Sequence, residues 1–368
     1  MFGERLDRVQ GAMAAAGVDV VLLSVGPDLP WLVGYEAMPL ERLTMLVVER
    51  GGAATLVVPR LEAPRVVERG DLFTIRPWDE TDDPIAIVGE LMGRATSAAI
   101  GDRTWARFLV DLHRQRPDVV FHRASEVVGP LRAVKDDAEV AALRAAAEAA
   151  DRVAAQLQGG EIPLVGRTEA AVSADIGRRL LAEGHHRVNF AIVASGPNAA
   201  SPHHEPADRV IGEGEVVLCD FGGTMLTPDG PGYCSDITRC VHTGPITPEV
   251  AEAYEVLHRA QAAGVQAATV GTSCEGVDAA ARDVIAAAGF GPAFMHRTGH
   301  GIGVEEHEDP YIVSGNGDVL VAGHAFSIEP GIYLEGRFGL RLEDIVVASA
   351  DGPDPLNRVD HGLVEVSA

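Results

Sequence analysis

Five side chains able to hold a metal ion, Asp220, Asp236, His300, Glu329 and Glu343, stand inside short apolar runs or beside glycines, and no other feature constrains the fold as tightly. Apolar runs of this kind are carried into the interior, where an ionised carboxylate without a counter-charge is expensive. The chain must therefore gather these groups at one place and neutralise them. Val-Val-Leu-Cys-Asp220-Phe-Gly-Gly and Gly-Tyr-Cys-Ser-Asp236-Ile-Thr-Arg are two predicted strands joined by the Gly/Pro-rich stretch Gly222 to Gly232, and a hairpin there sets the two aspartates side by side. In His296-Arg-Thr-Gly-His300-Gly-Ile-Gly-Val-Glu-Glu-His307, glycines on both sides of His300 let backbone pass close to a crowded centre. Phe-Ser-Ile-Glu329-Pro-Gly and Gly-Leu-Arg-Leu-Glu343-Asp-Ile-Val-Val place one glutamate at the end of an apolar run and one within the next, so that a second hairpin aims both inward.

Four carboxylates and one neutral imidazole offer four negative charges, enough to balance two divalent cations. Without cations, several of these carboxylates would have to take up protons. An oxygen-rich set with a single nitrogen is harder than the His- or Cys-rich sets of structural zinc, which favours Mn(II), with Co(II), Fe(II) or Zn(II) as alternatives.

The Asp, Asp, His, Glu, Glu series, set in Ser-Asp-Ile-Thr-Arg, Gly-His-Gly-Ile-Gly, Ile-Glu-Pro-Gly and Arg-Leu-Glu-Asp, resembles the pita-bread metallopeptidases, and among them the proline-peptidase branch of Xaa-Pro dipeptidase and aminopeptidase P. The match is strong over residues 135 to 348 and only general before them. It implies an α+β chain: an N-terminal creatinase-like α/β domain over residues 1–131 and a C-terminal pita-bread metallopeptidase domain over residues 132–368. It also implies hydrolysis of the Xaa-Pro bond in short peptides, most simply as a dipeptidase, with aminopeptidase P as the alternative. More distant alternatives are a lyase acting on a small sulfonium compound and a non-catalytic binding module. By the same resemblance, Asp236 and Glu343 bridge the two metals, Asp220 binds one, and Glu329 moves the proton from water to the leaving nitrogen. His203 and His307 contact the substrate and its oxyanion, His296 lines the pocket, and the subunits form a homodimer. His204 is the alternative to its neighbour His203. Fifteen residues separate the two aspartates, more than the family spacing, which predicts a longer solvent-facing hairpin tip.

Side-chain alternation adds two expectations. Arg341 shares a strand face with Glu343 and pairs with a metal carboxylate, while Asp344 and Cys219 point away from the site. With 368 residues the chain exceeds what one core organises, and a formal charge of −24 argues against nucleic acid and anionic membrane surfaces. No apolar run reaches membrane-spanning length, and the N-terminus is amphipathic and charged, unlike a secretory signal. Four cysteines without Cys-x-x-Cys spacing fit reduced, buried thiols. A cytoplasmic protein is expected.

In the first 130 residues, a helix ending at Ala16 before Gly17, strands over Val18 to Ser24, Ser97 to Ile100 and Val119 to Phe121, and a hairpin of Leu43 to Glu49 with Ala54 to Pro59 predict a mixed sheet. Helices are predicted near Pro84 to Arg94 and Thr104 to His113. A long Ala-rich helix to Gln158 then opens the second unit, followed by helices near Thr168 to Ala182, Pro248 to Ala268 and Gly276 to Ala288.

Overall fold

The computed structural model of the protein describes residues 1–228 and 230–367. The chain divides into two compact units, one of Met1–Arg132 with Pro228–Pro231, the other of Ala133–Thr227 with Gly232–Ala368.

The first unit is built on a six-stranded mixed sheet. Its order is Thr74–Trp78, Ala54–Pro59, Met45–Glu49, Val20–Leu23, Ser97–Ile100 and Val120–Arg123. The hairpin turn at Gly51 adopts φ 77°, a conformation that favours glycine, and Gly17 ends the first helix at φ 69°. The edge strand Thr74–Trp78 is absent from the sequence expectation, and the reason is chemical. It contains Arg76 and Pro77 and is only partly buried, so it lacks an apolar alternation, while its edge position tolerates the proline.

In the second unit, Asp136 caps the helix Asp137–Gln158 through the amide of Glu139, and the Glu139 side chain accepts in return from the Asp136 amide. The hydroxyls of Thr168, Thr247 and Ser273 cap the next three helices by accepting from the amides of Ala171, Val250 and Gly276, without a return bond among the described residues. One five-stranded sheet contains Arg187–Ser195, Val216–Leu226 and Ile237–Thr243, and a second contains Gly299–Gly301, Ala325–Ile328 and Asp344–Ser349.

Two hairpins organise the centre of this unit. The Asp220 strand pairs with Gly232–Cys234 near its tip and with Ile237–Thr243 at its base, in one continuous register. Pairing is interrupted where Gly222 comes opposite Asp236: a Cβ on Gly222 would lie 2.1 Å from the Ser235 carbonyl oxygen, so only glycine fits. The second hairpin repeats the plan. Ala325–Ile328 pairs with Asp344–Ser349, and Gly331–Leu334 pairs with Phe338–Arg341 in the same register, with Glu329 and Glu343 at the interruption.

Two expectations change here. The Asp220 strand does not end at Gly222 but continues to Leu226, so the extra residues lengthen the ladder and the turn shrinks to residues 227–231; Asp229 within it lies outside the described residues. Glu343 sits between strands and not within one, which frees its backbone to bridge to Thr238 of the first hairpin.

Candidate metal centre

The strand period of two puts Asp220 and Asp236 on one face. Thr238 is the direct cross-strand partner of Asp220, and Asp236, two residues earlier, shares its side of the ladder. The bridge from Thr238 to Glu343 then joins the two hairpins at their carboxylates, and the Thr238 hydroxyl donates to Glu343 Oε2 at 2.6 Å. His300 enters from the second sheet. A Cβ on Gly299 would fall 1.8 Å from the Ser327 carbonyl oxygen and one on Gly301 2.2 Å from that of Asp309, so the glycines allow His300 to be gripped between neighbouring strands.

The result is a convergence of acids. Ligand atoms of Asp236, His300 and Glu343 all lie within 4.8 Å of one another, and Asp220 and Glu329 line the same cavity of about 490 Å³. His300 Nε2 is 3.3 Å from Glu329 and 3.7 Å from Asp236, while its Nδ1 lies 3.2 Å from the Gly301 carbonyl. Donation to that carbonyl fixes the tautomer and turns the Nε2 lone pair toward the acids. Burial, together with the charge of the neighbouring His307, holds the His300 pKa well below that of an ordinary imidazole, so the ring is neutral and able to ligate.

Burial pushes the carboxyls of Asp236 and Glu343 well above the usual carboxylate range, and their mutual repulsion with Asp220 and Glu329 adds to it. Glu329 rises to about 7, chiefly by burial. Asp220 Oδ1 is buried without a hydrogen-bond partner among the described residues. A buried acceptor with nothing to accept from, beside acids that must otherwise be protonated, fits a cation. The donor set, oxygen-rich with one imidazole nitrogen, suits divalent ions with hard character.

Arg341 pairs with one of the cluster's carboxylates as expected, and that carboxylate is Asp220. Its Nη2 donates to Asp220 Oδ2 at 2.5 Å, Nε to the Thr238 hydroxyl at 3.0 Å, and Nη1 to the Tyr333 hydroxyl at 2.9 Å and the Pro202 carbonyl at 3.2 Å. All three nitrogens are thus engaged in holding the frame. Asp344 faces away as expected, bonded to Arg239, Gln261 and His361. Cys219 packs into the core with Val217 and Phe221, and all four cysteines are free and buried.

Three histidines besides His300 meet the cavity. The rings of His307 and His300 are 3.9 Å apart between centroids. His203 is exposed and lines the cavity, whereas His204 turns to Glu169, to which its Nε2 donates at 2.8 Å. His296 also lines the cavity, with both ring nitrogens committed: Nδ1 donates to the Arg297 carbonyl at 2.7 Å and Nε2 accepts from Tyr333 at 2.9 Å. Burial lowers its pKa to about 4, so it offers a neutral wall and no hydrogen bond to a ligand. Tyr333, Thr238 and Arg297 carry no signal that strand periodicity could single out. Arg297 lines the cavity with its guanidinium 4.5 Å above the Tyr311 ring, and no acidic side chain pairs with it among the described residues.

Comparison with known proteins gives the family and the fold. The sequence profile of metallopeptidase family M24 matches residues 141–350, and that of the Creatinase/Prolidase N-terminal domain matches residues 5–134. The chain is 44% identical over 370 residues to a probable dipeptidase PepE of Mycobacterium tuberculosis, covering 100% of this chain and 97% of that protein. It is 36% identical to an Xaa-Pro dipeptidase of Lactobacillus delbrueckii, covering 97% and 98%. The crystal structure of a prolidase from Thermococcus sibiricus superposes with a TM-score of 0.93 at 34% identity, covering 100% and 99%.

Proposed function

This chain belongs to metallopeptidase family M24, and from that premise we propose that it hydrolyses the Xaa-Pro bond of dipeptides at a dinuclear metal site. The observation that carries the reading is the convergence of Asp236, His300 and Glu343, with Asp220 and Glu329 beside them and one acceptor of Asp220 left orphaned. Asp236 and Glu343 would be shared by the two ions, Asp220 would hold one while Arg341 fixes its other oxygen, and His300 would supply the nitrogen. Mn(II) is the ion this donor set favours, with Co(II), Fe(II) and Zn(II) behind it. Two bound divalent ions supply an activated water and polarise the scissile carbonyl.

The remaining chemistry falls to side chains. Glu329 takes a proton from the attacking water and returns it to the departing proline nitrogen. His307 and His203 donate to the oxygen on which charge develops. His296, its nitrogens both occupied, forms the wall against which an apolar ring such as proline packs. Arg297 supplies a cavity cation without an acidic partner among the described residues, which suits the free C-terminal carboxylate that a dipeptide has and a longer peptide places elsewhere. That favours a dipeptidase over aminopeptidase P. The free cysteines suit a reducing cytoplasm, and a homodimer is the assembly expected from the family resemblance.

The test is hydrolysis of an Xaa-Pro dipeptide and an Xaa-Pro-Yaa tripeptide by Mn(II)-loaded protein, followed by release of proline or the prolyl peptide. Preference for the dipeptide is expected. Preference for the tripeptide would make the chain an aminopeptidase, and cleavage of neither would remove the peptidase reading.

A further inference from the structure

Glu169, the first residue of the helix Glu169–Ala182, is fully buried and lies outside the acid cluster. Its carboxylate accepts from the Ser195 amide and hydroxyl, each at 2.8 Å, from Asn198 Nδ2 at 3.1 Å to both oxygens, from His204 Nε2 at 2.8 Å and from the Ala207 amide at 3.3 Å. Burial alone would raise its pKa, but His204, Ser195 and Asn198 outweigh that and hold it below the usual carboxylate range, so it remains an anion. The helix N-terminus adds favourable potential.

The donors come from the end of the strand Arg187–Ser195, from the 3-10 turn Gly196–Ala200 and from the irregular stretch after it, and that stretch carries Pro202 and His203. Its opposite side is pinned as well. The Pro202 carbonyl accepts from Arg341, and the Ala199 carbonyl packs so closely on Gly339 that a Cβ there would lie 1.8 Å away. His203 follows these anchors directly and, with Pro202, lines the cavity. A loop without strand pairing would otherwise have to be ordered at the moment of binding, at a cost in affinity and in alignment.

We infer that Glu169 is a positioning residue: a single buried anion ties His204, Asn198 and Ser195 together so that the neighbouring His203 is held toward the substrate before it arrives. The inference rests on the reading of His203 as a substrate-contacting group. A residue that served stability alone would lower Tm without altering the turnover of the folded protein.

A double-mutant cycle separates these cases, using full-length Mn(II)-loaded protein, leucyl-proline as substrate, and metal content by elemental analysis alongside. Gln at this position keeps the shape but turns an NH2 group toward donors. Glu169→Gln should lower kcat/KM about tenfold with unchanged metal content, and the same change in a His203→Ala background should cost less than about twofold, because the two act as a unit. If Glu169→Gln fails to fold, His204→Ala removes one donor and leaves the others in place; it should cost about threefold and also lose its effect when His203 is absent. Equal costs in both backgrounds would overturn the inference while leaving the peptidase reading intact. Full activity of His203→Ala on its own would remove the role of His203 and the inference with it, again without touching the metal site.

Discussion

Glu343 and Asp344 are chain neighbours, both 1% exposed, and they live in opposite electrostatic worlds. On one face, Asp344 accepts from Arg239 at 2.8 Å, Gln261 at 2.8 Å and His361 at 2.5 Å, and although burial opposes it, the Arg239 and His361 charges hold its carboxyl below the usual range. On the other face, Glu343 receives the Thr238 hydroxyl, and burial, with the charges of Glu329 and Asp220 added to it, pushes its carboxyl far up. The fold is able to neutralise a buried acid with its own cations. It does so fully on one side of this backbone, whereas on the other a single arginine, Arg341, faces four acids and leaves charge to be completed from outside, as at a site for ions.

The comparison breaks if an acid of the open cluster can be lost as quietly as one of the closed network. Asp236→Ala should cost about 10³-fold or more in kcat/KM, since several kcal/mol of charge stabilisation go with the ions. It should also remove both ions in elemental analysis, whereas Asp220→Ala spares one. Asp344→Asn should instead lower Tm and leave metal content unchanged. Next in size, His307→Ala should reduce turnover about 10²-fold with metal retained, as for loss of one oxyanion donor. Metal loss in that variant would make His307 a ligand and reverse its role with that of His300.

Arg297→Ala should raise KM for the dipeptide about tenfold or more and leave the tripeptide little changed, because a hydrogen bond to a charged group contributes about 1.5–3 kcal/mol. An equal loss on both substrates would place the carboxylate elsewhere.

Proton linkage sharpens the contrast. In chelated protein the folded chain keeps the Glu329 proton up to about pH 7, while the unfolded chain gives it up near the ordinary value of 4.5. Stability from this group is therefore complete at low pH and is lost as pH rises through that window. Asp236 and Glu343 act in the same direction, and Asp344, with its lowered pKa, acts oppositely at acid pH. The Tm of chelated protein should fall by several degrees between about pH 5 and about pH 7, and Mn(II) should remove most of that fall. A Tm that rises across the window without metal would contradict the assigned shifts. The smallest effect belongs to the hairpin tip. Shortening residues 227–231 should leave metal content and dipeptide turnover within about twofold, because ladder register and not turn length aligns Asp220 with Asp236.

Much of this was readable from the chain because strand periodicity converts order into direction. The alternation that puts Asp220 on one face puts Cys219 on the other, and the same rule separates Glu343 from Asp344. Helix caps at Thr247 and Pro248 were equally local. What escaped depends on contacts that no local pattern encodes. The family motif favours His203 over His204, but the physical reason is the tertiary bond from His204 to Glu169, and Glu169 itself resembles an ordinary acid in a first helical turn. Tyr333 and Arg297 are unremarkable in sequence, since their importance lies in facing His296, Arg341 and the cavity across long separations. The extended Asp220 strand was obscured by Gly222 and Gly223, which suggest a turn but are there for close backbone approach.

The central claim is that the open carboxylate face is completed by two cations. Elemental analysis combined with native mass spectrometry of the Mn(II)-saturated wild-type chain tests it directly. Two ions per chain, both lost in Asp236→Ala and both kept in Asp344→Asn, are the result expected here; one ion or none at saturation would contradict the dinuclear site.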